Sequence, residues 1–208
     1  MSRATLYGAD YSVYVRIARM ALEEKGVAYE LIPVDVFAEG GPPDWYMQHH
    51  PFGRIPAFEH GGFRLFETGA IVRYVDEAFD GPSLQPHDAR VRATMNQIIG
   101  MIDSYAYRAM VWDVAVERLK GAPPSEKRIA AGLSVAETSL KVLAGLKMPG
   151  SWLLGDAITL ADLHMAPVVA YFLKVEEGGK LLAAFPRIAE WWTAISTRPS
   201  FAVTERAG

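Results

Sequence analysis

Residues His50 to Val75 read HPFGRIPAFEHGGFRLFETGAIVRYV, and this segment constrains the fold more than any other. Ile55 to Phe58 and Phe63 to Phe66 are apolar, strand-prone runs joined by Glu59-His60-Gly61-Gly62. A Gly-Gly tip between two such runs predicts a hairpin. Glu67-Thr68 then precedes apolar residues at Ile71, Val72, Val75 and Phe79, which predicts a helix opening on a Thr68 N-cap and running to about Phe79. Pro56 opens the first strand of the pair. Proline has no N–H to give a ladder, so it belongs at a strand start or on an edge.

Upstream, Thr5 to Gly8 reads as a short buried strand. Ser12 precedes a helical pattern in which Tyr14, Ile17, Ala18, Ala21 and Leu22 share one face, and Gly26 ends it. Tyr29 to Asp35 alternates as a second strand. Phe37 to His50 is a loop with a helical turn around Asp44 to Gln48. The order β-α-β, loop, β-β-α predicts an α/β domain, a mixed four-stranded sheet with helices packed on it. The texture then changes. Asp80-Gly81-Pro82-Ser83-Leu84-Gln85-Pro86 is a linker by composition. Beyond it the patterns are helical only: 88–120, 126–146, 159–175 and 187–197. The expected division is an α/β domain over 1–80, a linker over 81–87 and an all-α domain over 88–208.

Composition narrows the chemistry. The net charge of −3 and the scatter of Lys and Arg argue against a nucleic-acid partner. There is no cysteine, which excludes disulfides, thiolate metal sites and a cysteine nucleophile. Any sulfur chemistry must use a ligand's own thiol. His49-His50 lacks an acidic partner at useful spacing, so no metal is expected. Neither a glycine-rich phosphate loop nor a Gly-x-Ser-x-Gly elbow occurs. The N-terminus carries no signal-peptide pattern, and no apolar run approaches the ~18–20 residues of a membrane span. A cytoplasmic location without a membrane partner is the expectation.

Three features can carry a site. With Ile55-Pro56 in the cis form, Ile55 would offer its backbone N–H and C=O to a peptide alongside, as in strand addition. At the helix start, N–H groups and the Thr68 hydroxyl suit a carboxylate while Glu67 suits an ammonium, so the pair fits the amino-acid end of a small peptide. Ser12, also at a helix start, can stabilise a thiolate. Lowering a thiol pKa by about two units takes roughly 2.7 kcal/mol. A helix terminus supplies ~0.3–2 kcal/mol and a hydrogen bond to a charged group ~1.5–3 kcal/mol, so the two together suffice. Tyr11 and Tyr7 are rival hydroxyls. Thr159 and Asp162 form a capping box of structural purpose, flanked by Ile158 and Leu163.

The order Gly8…Ser12…Arg16, Pro51-Phe52-Gly53-Arg54-Ile55-Pro56, Glu67-Thr68, Gly155-Asp156…Thr159-Leu160-Ala161-Asp162, Trp191-Trp192 and Arg198-Pro199-Ser200-Phe201 resembles the cytosolic glutathione S-transferases over nearly the whole chain. Among their classes it is similar to the serine-type branch, phi- or theta-like in spacing and of bacterial kind. The resemblance implies a thioredoxin-like N-terminal domain, an all-helical C-terminal domain and a homodimer. It implies glutathione as cosubstrate, with its thiolate attacking a small hydrophobic electrophile in detoxification. Pro56 would be the cis-proline, Ile55 the backbone clamp, Glu67 and Thr68 the holders of the γ-glutamyl end, and Ser12, or alternatively Tyr11, the thiolate stabiliser. Serine-type relatives carry a His or Lys near the position of Gly41. Here that stretch is Gly40-Gly41-Pro42-Pro43, with Arg54 or His50 as substitutes toward the glycine carboxylate. Asp103 is the candidate for contact with the γ-glutamyl amine of a neighbouring subunit. Tyr11, Tyr105, Tyr107, Met110 and Trp112 are the candidates for an apolar substrate pocket. The alternatives are a non-catalytic protein of the same fold that binds ligands or proteins, and glutathione-dependent peroxidase or dehalogenase activity.

Overall fold

The computed structural model describes residues 3–205. Among the described residues the chain forms two compact units, 3–83 with 199–205, and 84–198. The first holds strands β1 (Ala4–Gly8), β2 (Tyr29–Pro33), β3 (Ala57–His60) and β4 (Phe63–Phe66), with helices α1 (Val13–Glu24) and α2 (Thr68–Ala78). The sheet order is β2-β1-β3-β4. β1 runs parallel to β2 and antiparallel to β3, and β3 antiparallel to β4. This is the expected mixed sheet.

Alternation along the strands explains the layers. Leu6 opposes Phe58 and Tyr7 opposes Ala57, so successive pairs face opposite sides. Phe58 meets Tyr74 of α2, which puts the helices on that side. Tyr7 and Ala57 cluster instead with Tyr46 of a 3₁₀ turn, Asp44–Gln48, and with Val34. The 3₁₀ turn therefore covers the second side. Gly8 is required for close packing: a Cβ there would lie 2.4 Å from Val15 Cγ2.

The hairpin differs from expectation at both strand ends. β3 begins at Ala57 and runs through His60, so the turn is Gly61-Gly62 alone. Both glycines have positive φ, +60° and +84°, as a two-residue turn between twisted strands needs. Ile55-Pro56 is cis and precedes the ladder.

The second unit is helical. α3 (Ala89–Met101) continues into π-helical stretches Ile102–Ala106 and Arg108–Val116 and a final turn, α4 (Glu117–Leu119). α5 (Glu126–Leu146), α6 (Leu160–Phe172), α7 (Glu176–Ala183) and α8 (Pro186–Ser196) follow. α6 is buried on nearly every side, the mark of a core helix. α5 departs from the sequence expectation: an 18-residue window reaches mean hydropathy 1.4, long and apolar enough to cross a membrane. Its leucines, valines, isoleucine and alanines raise that mean, and it buries Ile129, Ala136, Leu140 and Leu143 within the unit.

The segment from Pro199 belongs with the first unit rather than with the helical domain drawn over 88–208. α9 (Pro199–Val203) sits on α1 through arginines. Arg16 donates to Phe201 O at 2.9 Å, and Arg19 donates to Val203 O and Thr204 O at 3.2 and 3.3 Å.

Candidate active site

The strand registers bring three sequence-distant positions together. Tyr7 pairs with Ala57, and Ala57 with Phe66. The loop after β1, the residues before β3 and the residue after β4 therefore meet at one end of the sheet. Those segments carry Ser12, Arg54-Ile55-Pro56 and Glu67-Thr68.

Ser12 is the N-cap of α1, and its Oγ accepts from Val15 N–H at 3.3 Å. That bond uses a lone pair and leaves the hydroxyl proton to donate. Ser12 is half-buried, beside the unpaired first N–H groups of the helix. Tyr11 is differently committed. Its hydroxyl donates to Asp35 Oδ1 at 2.8 Å, and the same oxygen accepts from Phe37 N–H. Burial, and then the bond and charge of Asp35, push the Tyr11 phenol up to about 12. A proton held this way is a poor donor to any further acceptor. Asp35 carried no sequence signal, because its partner lies 24 residues away.

Pro56 is buried, Ile55 half-buried and Arg54 exposed. The Arg54 carbonyl accepts from the Tyr46 hydroxyl at 2.7 Å. Glu67, not Thr68, occupies the N-cap of α2. Its φ is +71°, its side chain makes no capping bond, and it is exposed. A non-glycine residue in that region costs about 1–3 kcal/mol, and such strain clusters where ligands are held. Thr68 becomes the first helical residue and is buried. The sequence placed the cap one residue late because threonine is the better cap by type.

His50 is not a free cation for a carboxylate. It is 2% exposed, and its Nδ1 accepts from Phe52 N–H at 3.3 Å. Burial, with Arg54 adding to it and Glu67 opposing, holds its pKa below the usual value. Arg54 is left as the exposed basic side chain of this segment. Gly40 and Gly41 form a turn of positive φ, with Gly41 N–H on Ala38 O.

The remaining candidates lie in the helical unit. Asp103 and Tyr105 are exposed. Trp112 Nε1–H donates to the Tyr107 hydroxyl at 2.9 Å. Met110 is fully buried, so it serves the core of that unit and offers no surface to a pocket.

The match to known proteins covers both units. Residues 6–83 match the glutathione S-transferase N-terminal domain and residues 100–199 the C-terminal domain. Glutathione S-transferase F13 of Arabidopsis thaliana is 30% identical, over 94% of this chain and 92% of its own. The crystal structure of glutathione transferase F7 from Populus trichocarpa has a TM-score of 0.85 at 29% identity, covering 97% of each chain. A structure of glutathione S-transferase I bound to lactoylglutathione also has a TM-score of 0.85, at 26% identity and 98% of each chain. The Arabidopsis and Populus relatives are plant proteins, where bacterial kin were expected. This chain belongs to the glutathione S-transferase family.

Proposed function

We propose that the protein is a serine-type, phi-like glutathione transferase in which Ser12 donates to the glutathione thiolate. The observation that carries this reading is the pair of adjacent hydroxyls: Tyr11 is tied to Asp35, while Ser12 keeps its proton at a helix N-terminus. Ile55 offers its backbone beside cis-Pro56, Glu67 takes the γ-glutamyl ammonium, and the helix start at Thr68 takes the adjacent carboxylate. Arg54 takes the glycine carboxylate in place of the basic residue missing near Gly41.

Catalysis then runs in two parts. The helix terminus and the Ser12 proton favour ionised over neutral thiol, so a larger fraction is nucleophilic at neutral pH. The thiolate attacks an electrophilic carbon and expels its leaving group, forming the thioether. An apolar electrophile is supported by exposed Tyr105 and by the Tyr107–Trp112 pair in the helical unit. A homodimer, with Asp103 reaching the neighbour's γ-glutamyl amine, is supported by the resemblance. Exposed Phe52, Phe63 and Trp45 on the first unit support it further.

The test is the ultraviolet thiolate absorbance of bound glutathione against pH in wild type, Ser12→Ala and Tyr11→Phe. A thiol pKa depressed in wild type and in Tyr11→Phe, but not in Ser12→Ala, is the expected result. Binding with an ordinary thiol pKa in wild type would favour the non-catalytic reading.

A further inference from the structure

We propose that Tyr46 is a positioning residue for glutathione: its buried hydroxyl aims the Arg54–Ile55 peptide group at the substrate. The inference rests on the glutathione reading above and adds a residue to it.

The need for such a residue follows from the ladder. β3 first pairs at Ala57, with Tyr7 on one side and Phe66 on the other. Arg54, Ile55 and Pro56 precede that point, so the sheet does not set their orientation. Two bonds tie this stretch instead. Gly53 N–H donates to His50 O at 2.9 Å, and the Tyr46 hydroxyl donates to Arg54 O at 2.7 Å.

The second bond has a directional consequence. A peptide group is planar, and across a trans bond its C=O and N–H point opposite ways. Among the described residues only Ile55-Pro56 is cis, so the Arg54–Ile55 bond is trans. Holding the Arg54 carbonyl inward on Tyr46 points the Ile55 N–H away from the 3₁₀ turn, ready for a peptide ligand.

Tyr46 is built to stay in place. Its side chain is fully buried, in a cluster with Tyr7, Val34 and Ala57. Its backbone anchors the turn: its N–H donates to Pro43 O, and its carbonyl accepts from His49 and His50. A phenylalanine would fill the same space, so packing alone does not call for the hydroxyl. A buried phenol needs an acceptor, and burial raises its pKa above the ordinary value, which keeps it a donor. Fixing the clamp before the ligand arrives removes an ordering cost from binding.

The test is Tyr46→Phe, with glutathione and chlorodinitrobenzene as substrates. KM for glutathione should rise about three- to tenfold, the worth of one neutral hydrogen bond. The kcat at saturating glutathione and KM for the electrophile should stay within about twofold. A packing role would lower stability and kcat without this split. A folded Tyr46→Phe with unchanged KM for glutathione overturns the proposal. Wild-type protein that binds no glutathione overturns the parent reading and this one together. Should Tyr46→Phe not fold, hydrogen exchange in the wild type decides. The Tyr46 hydroxyl proton should be slow without glutathione, held on Arg54 O; exchange at the rate of a free phenol, with protection only on binding, would overturn a preformed clamp.

Discussion

Ser12 and Tyr11 show how one residue's partner decides its chemistry. Both hydroxyls follow β1, yet one is free to donate and the other is bound to a carboxylate. On the proposed reading, replacing Ser12 by alanine removes a charge-assisted hydrogen bond worth about 1.5–3 kcal/mol, so kcat/KM should fall by about 10- to 100-fold. The lost N-cap should cost about 1 kcal/mol of stability. Tyr11→Phe should leave the bound-thiol pKa unchanged. Steady-state kinetics and urea titration of both variants check this. The local places of Ser12 and Glu67 at helix starts were legible in the sequence, and Pro56 was placed within a residue of its strand, because each follows a local rule. The Tyr11–Asp35 and Tyr46–Arg54 bonds were not. Hydroxyl-to-acceptor pairing depends on the fold, and nothing in either residue's neighbourhood announces it.

At the level of elements, amphipathic periodicity located α1, α2, α5 and α8 within a residue or two. It missed what breaks the period. α7 contains Gly178-Gly179, which by propensity argues against a helix. Gly178 is nonetheless demanded, since a Cβ there would lie 2.0 Å from Phe172 O. The π-helical stretches were equally hidden. They show in the structure through i, i+5 pairs, Tyr107–Trp112 and Arg108–Asp113, which a 3.6-residue turn holds apart. The 3₁₀ turn ends in two buried histidines, His49 and His50, both with pKa lowered first by burial. A base with a depressed folded pKa binds fewer protons folded than unfolded as pH falls below the ordinary 6.5. Their contribution is thus fully present above that pH and is lost on acidification toward the folded values. Thermal melts at neutral and mildly acidic pH should show the loss. His50→Asn, which can still accept from Phe52 N–H, should reduce the drop.

At the scale of the molecule, each unit carries a polar tie between distant segments, fully buried in the helical unit and half-buried in the first. In the helical unit Asp162 is fully buried and accepts from Leu153 N–H, Thr159 N–H, the Thr159 hydroxyl and Trp191 Nε1–H, each at 2.8 Å. The sequence showed the capping box but not the tryptophan, 29 residues away. Asp162→Ala leaves several buried donors unpaired at about 1–3 kcal/mol each, so it should prevent folding or lower stability by more than about 3 kcal/mol by urea titration. In the first unit the tie is Arg16. Its guanidinium donates to Phe201 O and lies 4.0 Å from the Phe201 ring centroid. It sits one helical turn after Ser12, and its N–H donates to Ser12 O. Because that last bond is made by the backbone, Arg16→Met should spare the cap while releasing α9 from α1. Stability should then fall by about 2 kcal/mol, with the bound-thiol pKa unchanged. An equal loss of thiolate in Arg16→Met and Ser12→Ala would instead mean that the cap is held in place by the returning C-terminal segment.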